Sequence, residues 1–392
     1  MRRFDFCVKN IRPNVFQFFL VLIFLFTSFA LMANTSVVSD VNSDSCPDLI
    51  TTNASSQLVV QHSDCSGTLT ATSVISLSFN TLKFDMGDIN QDGFKDLVAL
   101  SDAGDLLLAL HDQSSSFLSA VTLPVGLQPL ESIADIKLSM INDDSLLDLV
   151  VIVDGLINGR VLLFHGNGAG GFNNAVEIEL LSMLSVGQSI QVGTVDNNVT
   201  IDLIVRDVLG QVYILLADGL GSFDAPILVP GLLPLGSVYF ADYNQDGFID
   251  MLVLDELLGL LTVRLGNGDG SFATGSSVMV GLAPVDLVTV DINSDGDQDA
   301  VVVNVGDNSI NVLLGDGTGS LVNLVGTLLD DLLGTLPTLN LPVEIVTVDL
   351  NGDCIPDLAV WNDMTQSYSV VINQSGPDLA ELLFCSNFEL RF

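Results

Sequence analysis

Basic residues are scarce in this chain. Eleven Lys and Arg stand against 48 Asp and Glu over 392 residues, a formal net charge of −37. Nucleic acid and anionic lipid both require basic patches, so neither is expected as a partner. Histidine is limited to His62, His111 and His165, and no Cys/His spacing suits zinc. The sequence has no H-E-x-x-H, no G-x-S-x-G and no Walker loop, which removes the common signatures of metalloprotease, acyl-transfer and phosphoryl-transfer chemistry. No catalytic residue is assigned. Trp361 is the one tryptophan, and tyrosine occurs only at 213, 239, 243 and 368, which leaves few aromatic platforms for a sugar. Glutamate is rare too: seven of the acids are Glu and 41 are Asp. A generic solvated acidic surface would mix the two, whereas an Asp excess marks short carboxylates held in tight turns.

The N-terminus carries four of the basic residues, Arg2, Arg3, Lys9 and Arg12, followed by an apolar run from Val15 to Met32 that ends in small residues. This pattern predicts a signal peptide over residues 1–33, cleaved after Ala30 or Ala33. Retention as a membrane anchor is the rival, because the run is close to the length of a spanning helix. The remainder, 34–392, is then a secreted, periplasmic or cell-surface chain. It keeps Cys46, Cys65, Cys354 and Cys385, an even number that favours two disulfides in an oxidising compartment. Cys46–Cys65 with Cys354–Cys385 is the preferred pairing, and Cys46–Cys354 with Cys65–Cys385 the alternative.

One unit is written seven times. Its clearest copies are Asp88-Ile-Asn90-Gln-Asp92-Gly93-Phe94-Lys-Asp96, Asp242-Tyr-Asn244-Gln-Asp246-Gly247-Phe248-Ile-Asp250 and Asp291-Ile-Asn293-Ser-Asp295-Gly296-Asp297-Gln-Asp299. Looser copies stand at both ends, with Asp40, Asn42, Asp44, Cys46 and Asp48, and with Asp349, Asn351, Asp353, Ile355 and Asp357, at loop positions 1, 3, 5, 7 and 9. Two degenerate copies begin at Met140 and Thr194. The spacings between first positions are 48, 52, 54, 48, 49 and 58 residues.

Each copy places an apolar segment before the loop and two after it. A Gly-rich turn such as Gly266-Asn-Gly-Asp-Gly-Ser-Phe272 follows, and then a fourth segment. Val, Ile and Leu fill the segments while Gly, Asn and Asp fill the breaks, which are strand and turn signals. Continuous apolar runs, rather than alternating ones, indicate sheets covered on both faces. Four strands repeated seven times predict an all-β fold, a seven-bladed β-propeller of four-stranded antiparallel blades. A solenoid is the rival, but the end copies keep the motif instead of becoming caps.

Calcium takes six to eight hard oxygens. Side chains at positions 1, 3 and 5 of a curled loop supply them, position 7 adds a backbone carbonyl, and position 9 closes the shell. Five loops carry this full set, those beginning at Asp40, Asp88, Asp242, Asp291 and Asp349. Position 6 requires a left-handed backbone that Gly93, Gly247 and Gly296 adopt freely. Ser45 and Cys354 imply strain or a different bend in the first and last loops. An EF-hand is excluded, because position 12 is Thr51, Ala99, Val253, Val302 or Val360 rather than an acid.

This D-x-N-x-D-G-x-x-D loop, followed by D-L-V-like strands and G-N-G-x-G-S-F turns, resembles the FG-GAP/VCBS repeat family over roughly residues 36–385. The resemblance implies the seven-bladed propeller of integrin α-subunit heads and many bacterial surface proteins, with calcium at the matching positions. Met140 and Thr194 depart from it at position 1. Three functions stay open. A calcium-binding, monomeric adhesion or binding module for an extracellular protein leads, ahead of a lectin-like propeller for glycans. A calcium-dependent polysaccharide lyase or hydrolase comes last, because only seven basic residues remain after residue 33 to neutralise an acidic sugar. The three histidines, on separate blades, are read as surface residues, and Trp361 as a core residue.

Overall fold

The computed structural model describes residues 36–324, 333 and 336–374, apart from loop positions 43, 76, 114–115, 143, 156–158, 180–186, 197, 199, 208, 233–235 and 274. The proposed signal peptide therefore lies outside the described residues. Seven antiparallel sheets follow one another along the chain, at residues 37–74, 81–122, 132–179, 187–229, 236–279, 284–324 and 342–371. We call them blades 1 to 7. Six have four strands in sequential order, and three strands of blade 7 fall among the described residues.

The repeated hydrophobic grammar explains the architecture. The second strand of each blade is buried on both faces, so its successive residues feed two different cores. In Asp148–Asp154 of blade 3, Leu149, Val151 and Val153 pack toward blade 2, while Val150 and Ile152 pack toward blade 4. Seven such clusters occur, one between each pair of neighbouring blades. The seventh joins Leu49 of blade 1 to Val348, Leu350, Ala359 and Trp361 of blade 7. The ring is thus closed, and the solenoid alternative fails. Trp361 is fully buried, edge-on to Tyr368, as a core residue should be.

First strands of neighbouring blades contact one another at the centre of the ring, where carboxylates link them. Asp85, Asp135 and Asp286 each accept the backbone N–H of the next blade's first strand, from Leu138, Ile190 and Ile345 at 2.8–2.9 Å. At the seam between blades 7 and 1, Glu344 accepts the Ser36 N–H at 2.6 Å and its hydroxyl at 2.7 Å. Burial, reinforced by the Asp286 charge, pushes the Glu344 carboxyl up to about 8. A carboxyl raised from 4.5 contributes stability that is full below pH 4.5 and lost as pH climbs through 8. Glu344→Gln is therefore expected to match wild type near pH 5 and to exceed it above pH 8 by on the order of 1–2 kcal/mol. Urea unfolding at the two pH values is the check, and equal pH slopes in both proteins would refute it.

The Gly-rich turns are seams as well. Their fifth residue, a glycine with positive φ, touches the preceding blade. A Cβ on Gly67 (φ +83) would lie 2.6 Å from Ile372, and one on Gly221 (φ +86) 2.7 Å from the His165 ring. Gly67 N–H also donates to Leu350 O at 3.0 Å, across the ring closure. Gly67→Ala should cost roughly 1–3 kcal/mol, through left-handed strain and overpacking together. Thermal unfolding reads this directly, and a neutral variant would show that the seam tolerates a methyl group.

Candidate functional site

Each loop of interest joins the first strand of a blade to the second. In the five complete copies the side chains close it in the same way. The position-1 Asp (40, 88, 242, 291, 349) accepts the N–H of position 5 at 3.0–3.3 Å. Its other oxygen accepts the N–H of position 6 at 2.8–3.0 Å. The position-3 Asn oxygen (42, 90, 244, 293, 351) accepts the same position-5 N–H at 2.9–3.2 Å. The position-5 Asp (44, 92, 246, 295, 353) accepts the N–H of position 7 at 2.8–3.0 Å, from Cys46, Phe94, Phe248, Asp297 and Ile355. Oxygens from alternate residues are thereby gathered on the concave side of one curl, because Asp and Asn side chains are short enough to bond backbone N–H groups two to five residues on.

The curl demands positive φ at position 6, and the chain supplies it with or without glycine. Gly93, Gly247 and Gly296 sit at 87–91°, while Ser45 and Cys354 are held at 69° and 68°. Of the two outcomes expected for the end loops, strain applies, because the bend is the same. Position 4 is left-handed too, at Gln91, Gln245 and Ser294 with φ 56–60° and at Gly352 with φ 73°.

The degenerate copies separate from these. In blade 3, Asn142 and Asp144 keep their N–H contacts, and Ser145 its positive φ, but Met140 is half exposed at position 1 and supplies no oxygen. In blade 4 the same two contacts run from the Asn198 N–H to Asp196 and from the Thr200 N–H to Asn198, and Thr194 stands where the complete loops have the position-1 Asp.

Position 9 follows a different logic. Asp48, Asp96, Asp148, Asp202, Asp250, Asp299 and Asp357 are all fully buried at the start of a second strand. One oxygen accepts the position-2 N–H at 2.7–3.1 Å. The other accepts an N–H at the start of the Gly-rich turn at 2.7–3.2 Å, from Ser63, His111, Gly166, Ala217, Gly266, Gly315 or Asn373. This staple is present in all seven blades, whatever stands at position 1. Burial raises the Asp250, Asp299 and Asp357 carboxyls, the last two to about 6, and the position-1 and position-5 carboxylates add to the rise. Three acids of each such loop therefore feel one another.

Cys46, at position 7 of the first loop, is bonded to Cys65 in the Gly-rich turn of its own blade. The preferred pairing holds there. Cys354 is also disulfide-bonded, but the proposed Cys354–Cys385 bond lies outside the described residues. The same loop-to-turn contact is made without sulfur elsewhere: a Cβ on Gly268 would strike Phe248, and one on Gly317 would strike Asp297.

The histidines do not converge, but they are not simple surface residues either. His111 is buried and stacked on Phe94. His62 and His165 stand 3.3 and 3.4 Å from the position-9 carboxylates of their own blades, Asp48 and Asp148. Their place at the head of the Gly-rich turn brings each one over a staple, a proximity that depends on the blade's fold. Among the described residues, no three His, Cys, Asp or Glu side chains form a metal-binding group, and no helix is long and apolar enough to cross a membrane.

The fold and its loops define a seven-bladed β-propeller with five equivalent acidic Asx loops. The chain carries FG-GAP-like repeats: the model of that repeat matches residues 40–99 and 291–360. No curated protein sequence matches the chain. Among solved structures it is similar to the BP39L lectin from Burkholderia pseudomallei, with 14% identity over 88% of this chain and 98% of that one, at a TM-score of 0.59. It is also similar to an Agrocybe aegerita lectin in a study of non-reducing terminal N-acetylglucosamine recognition, with 17% identity, 74% and 78% coverage and a TM-score of 0.54. BBS1N, from a complex with ARL6DN, matches at 12% identity, 89% and 95% coverage and a TM-score of 0.59. At such identities the likeness concerns the fold alone.

Proposed function

We propose that this chain is an exported, calcium-stabilised propeller that serves as a non-catalytic binding module for an extracellular protein partner. The observation that carries the reading is the identical closure of five loops, in the copies with a complete oxygen set and in no others. The donors are hard oxygens only, which suits calcium rather than zinc or copper. Positions 1, 3 and 5 would hold the ion together with the position-7 carbonyl. Position 9 keeps lone pairs beyond its two N–H bonds and would complete the shell from behind. A bound cation supplies charge neutralisation where three carboxylates crowd. The Cys46–Cys65 bond supports an oxidising compartment.

A glycan ligand is the second reading, favoured by the fold shared with two lectins. Against it, Trp361 and Tyr243 are buried in the core and cannot stack on a sugar. Metal analysis of EDTA-stripped, calcium-reloaded protein tests the proposal. About five ions are expected, and zero or one would overturn it. A glycan array in millimolar calcium is expected to stay at background; calcium-dependent binding to one sugar class would replace the protein partner with a glycan.

A further inference from the structure

Two loops carry a glutamine at position 4, and both reach into the next blade. Gln91 of blade 2 donates its amide to the Ser145 carbonyl of blade 3 at 3.3 Å. Gln245 of blade 5 donates to the Gly296 carbonyl of blade 6 at 2.9 Å and to the Asp297 side chain at 2.6 Å. Gly296 and Asp297 are positions 6 and 7 of the blade 6 loop. Blade 3 lacks an acid at position 1, so only Gln245 joins two complete loops. At the same position Ser294 is far shorter and Gly352 has no side chain.

The contact falls on a critical peptide. The Gly296 carbonyl that Gln245 holds belongs to the same planar unit as the Asp297 N–H, which donates to the Asp295 carboxylate at 2.9 Å. The Gly296 N–H, one peptide earlier, donates to Asp291 at 2.8 Å. Gln245 therefore orients the segment that positions two acids of the neighbouring loop. Its own place is set by the curl around it, because Asn244 and Asp246 flank it and the Asp246 N–H is gripped by both Asp242 and Asn244. The closed blade 5 loop holds the amide against blade 6.

We infer that Gln245 couples the loops of blades 5 and 6, so that calcium held by one raises the affinity of the other. This rests on the calcium reading proposed above. Linkage makes the effect reciprocal. Its size is that of one hydrogen bond, roughly five-fold in affinity.

The test uses Gln245→Asn in the full chain, followed by the Gly296 backbone amide resonance during a calcium titration. Asn tolerates left-handed backbone and is one methylene short of the neighbouring loop. The calcium midpoint of Gly296 is expected to rise about five-fold in Q245N. Asp242→Ala, which disables the blade 5 loop, should raise that midpoint by a similar factor in the wild-type background and add nothing in Q245N. An unchanged Gly296 midpoint in Q245N, or an equal effect of D242A in both backgrounds, overturns the coupling and leaves calcium binding intact. A Gly296 amide indifferent to calcium in the wild-type chain overturns calcium binding at this loop, and the coupling with it.

Discussion

Chelation with EDTA is expected to lower the melting temperature strongly. The formal net charge of −37 opposes compaction, and the loops concentrate that charge. If each site has a Kd of ~10⁻⁴ M, typical of extracellular modules, millimolar calcium contributes roughly 1.4 kcal/mol per site by mass action. Five sites then give on the order of 7 kcal/mol, comparable with a whole domain's stability of about 5–15 kcal/mol. Asp246→Ala should remove one ion and its share of this stabilisation. Met140→Ala should leave the calcium count unaltered, because Met140 has no oxygen to offer. Calorimetry of the three proteins with and without EDTA decides. A melting temperature indifferent to EDTA, or equal calcium loss in both variants, would show that these loops are not the stabilising sites.

The second large effect is expected where calcium plays no part. Asp148 is the position-9 staple of blade 3, whose loop lacks a position-1 acid. Its carboxylate accepts the N–H groups of Ile141 at 3.1 Å and Gly166 at 2.9 Å, all buried. Asp148→Ala strands both donors away from water, at a cost of about 1–3 kcal/mol each, so a loss of roughly 3–5 kcal/mol is expected. Asp144→Ala, four residues earlier on the exposed rim of the same loop, should cost about 1 kcal/mol or less. Urea unfolding measures both. Calcium stoichiometry should be the same in wild type and both variants. A D148A protein as stable as D144A would mean that position 9 matters only through the ion. That outcome would also demand another explanation for an acid at this position in blades 3 and 4.

Much of this was legible in one dimension. The 48- to 58-residue period, the apolar runs on either side of each loop and the Gly-rich turns dictated blade number, strand order and antiparallel pairing. Those are local features: a run of Val and Leu bounded by Asx and Gly can form a strand wherever the rest of the chain lies. The division of seven loops into five complete and two degenerate was also visible, since each oxygen set lies within nine residues. The Cys46–Cys65 pairing was readable as a preference only, because loop and turn are neighbours within one blade.

Other contacts depend on residues that are far apart in the chain or on the orientation of a peptide. Position 9 reads as a ligand from the spacing; what the spacing does not show is that its two oxygens also accept N–H groups seven residues before it and 15–18 residues after it. Only the folded blade brings those donors to one point. Nothing in the spacing of Glu344 and Ser36, 308 residues apart, announced that they meet where blade 7 closes on blade 1. Gln245 looked like filler between two ligands, because its partner lies 51 residues away on the next blade. Local pattern alone determined the repeated unit, since turn and strand preferences act over a few residues. The ring's closure, its buried carboxylates and the contacts between loops were decided by tertiary structure, where burial turns an ordinary Asp into a group that must find a partner and the packing of blades brings the exposed Gln245 against the next loop.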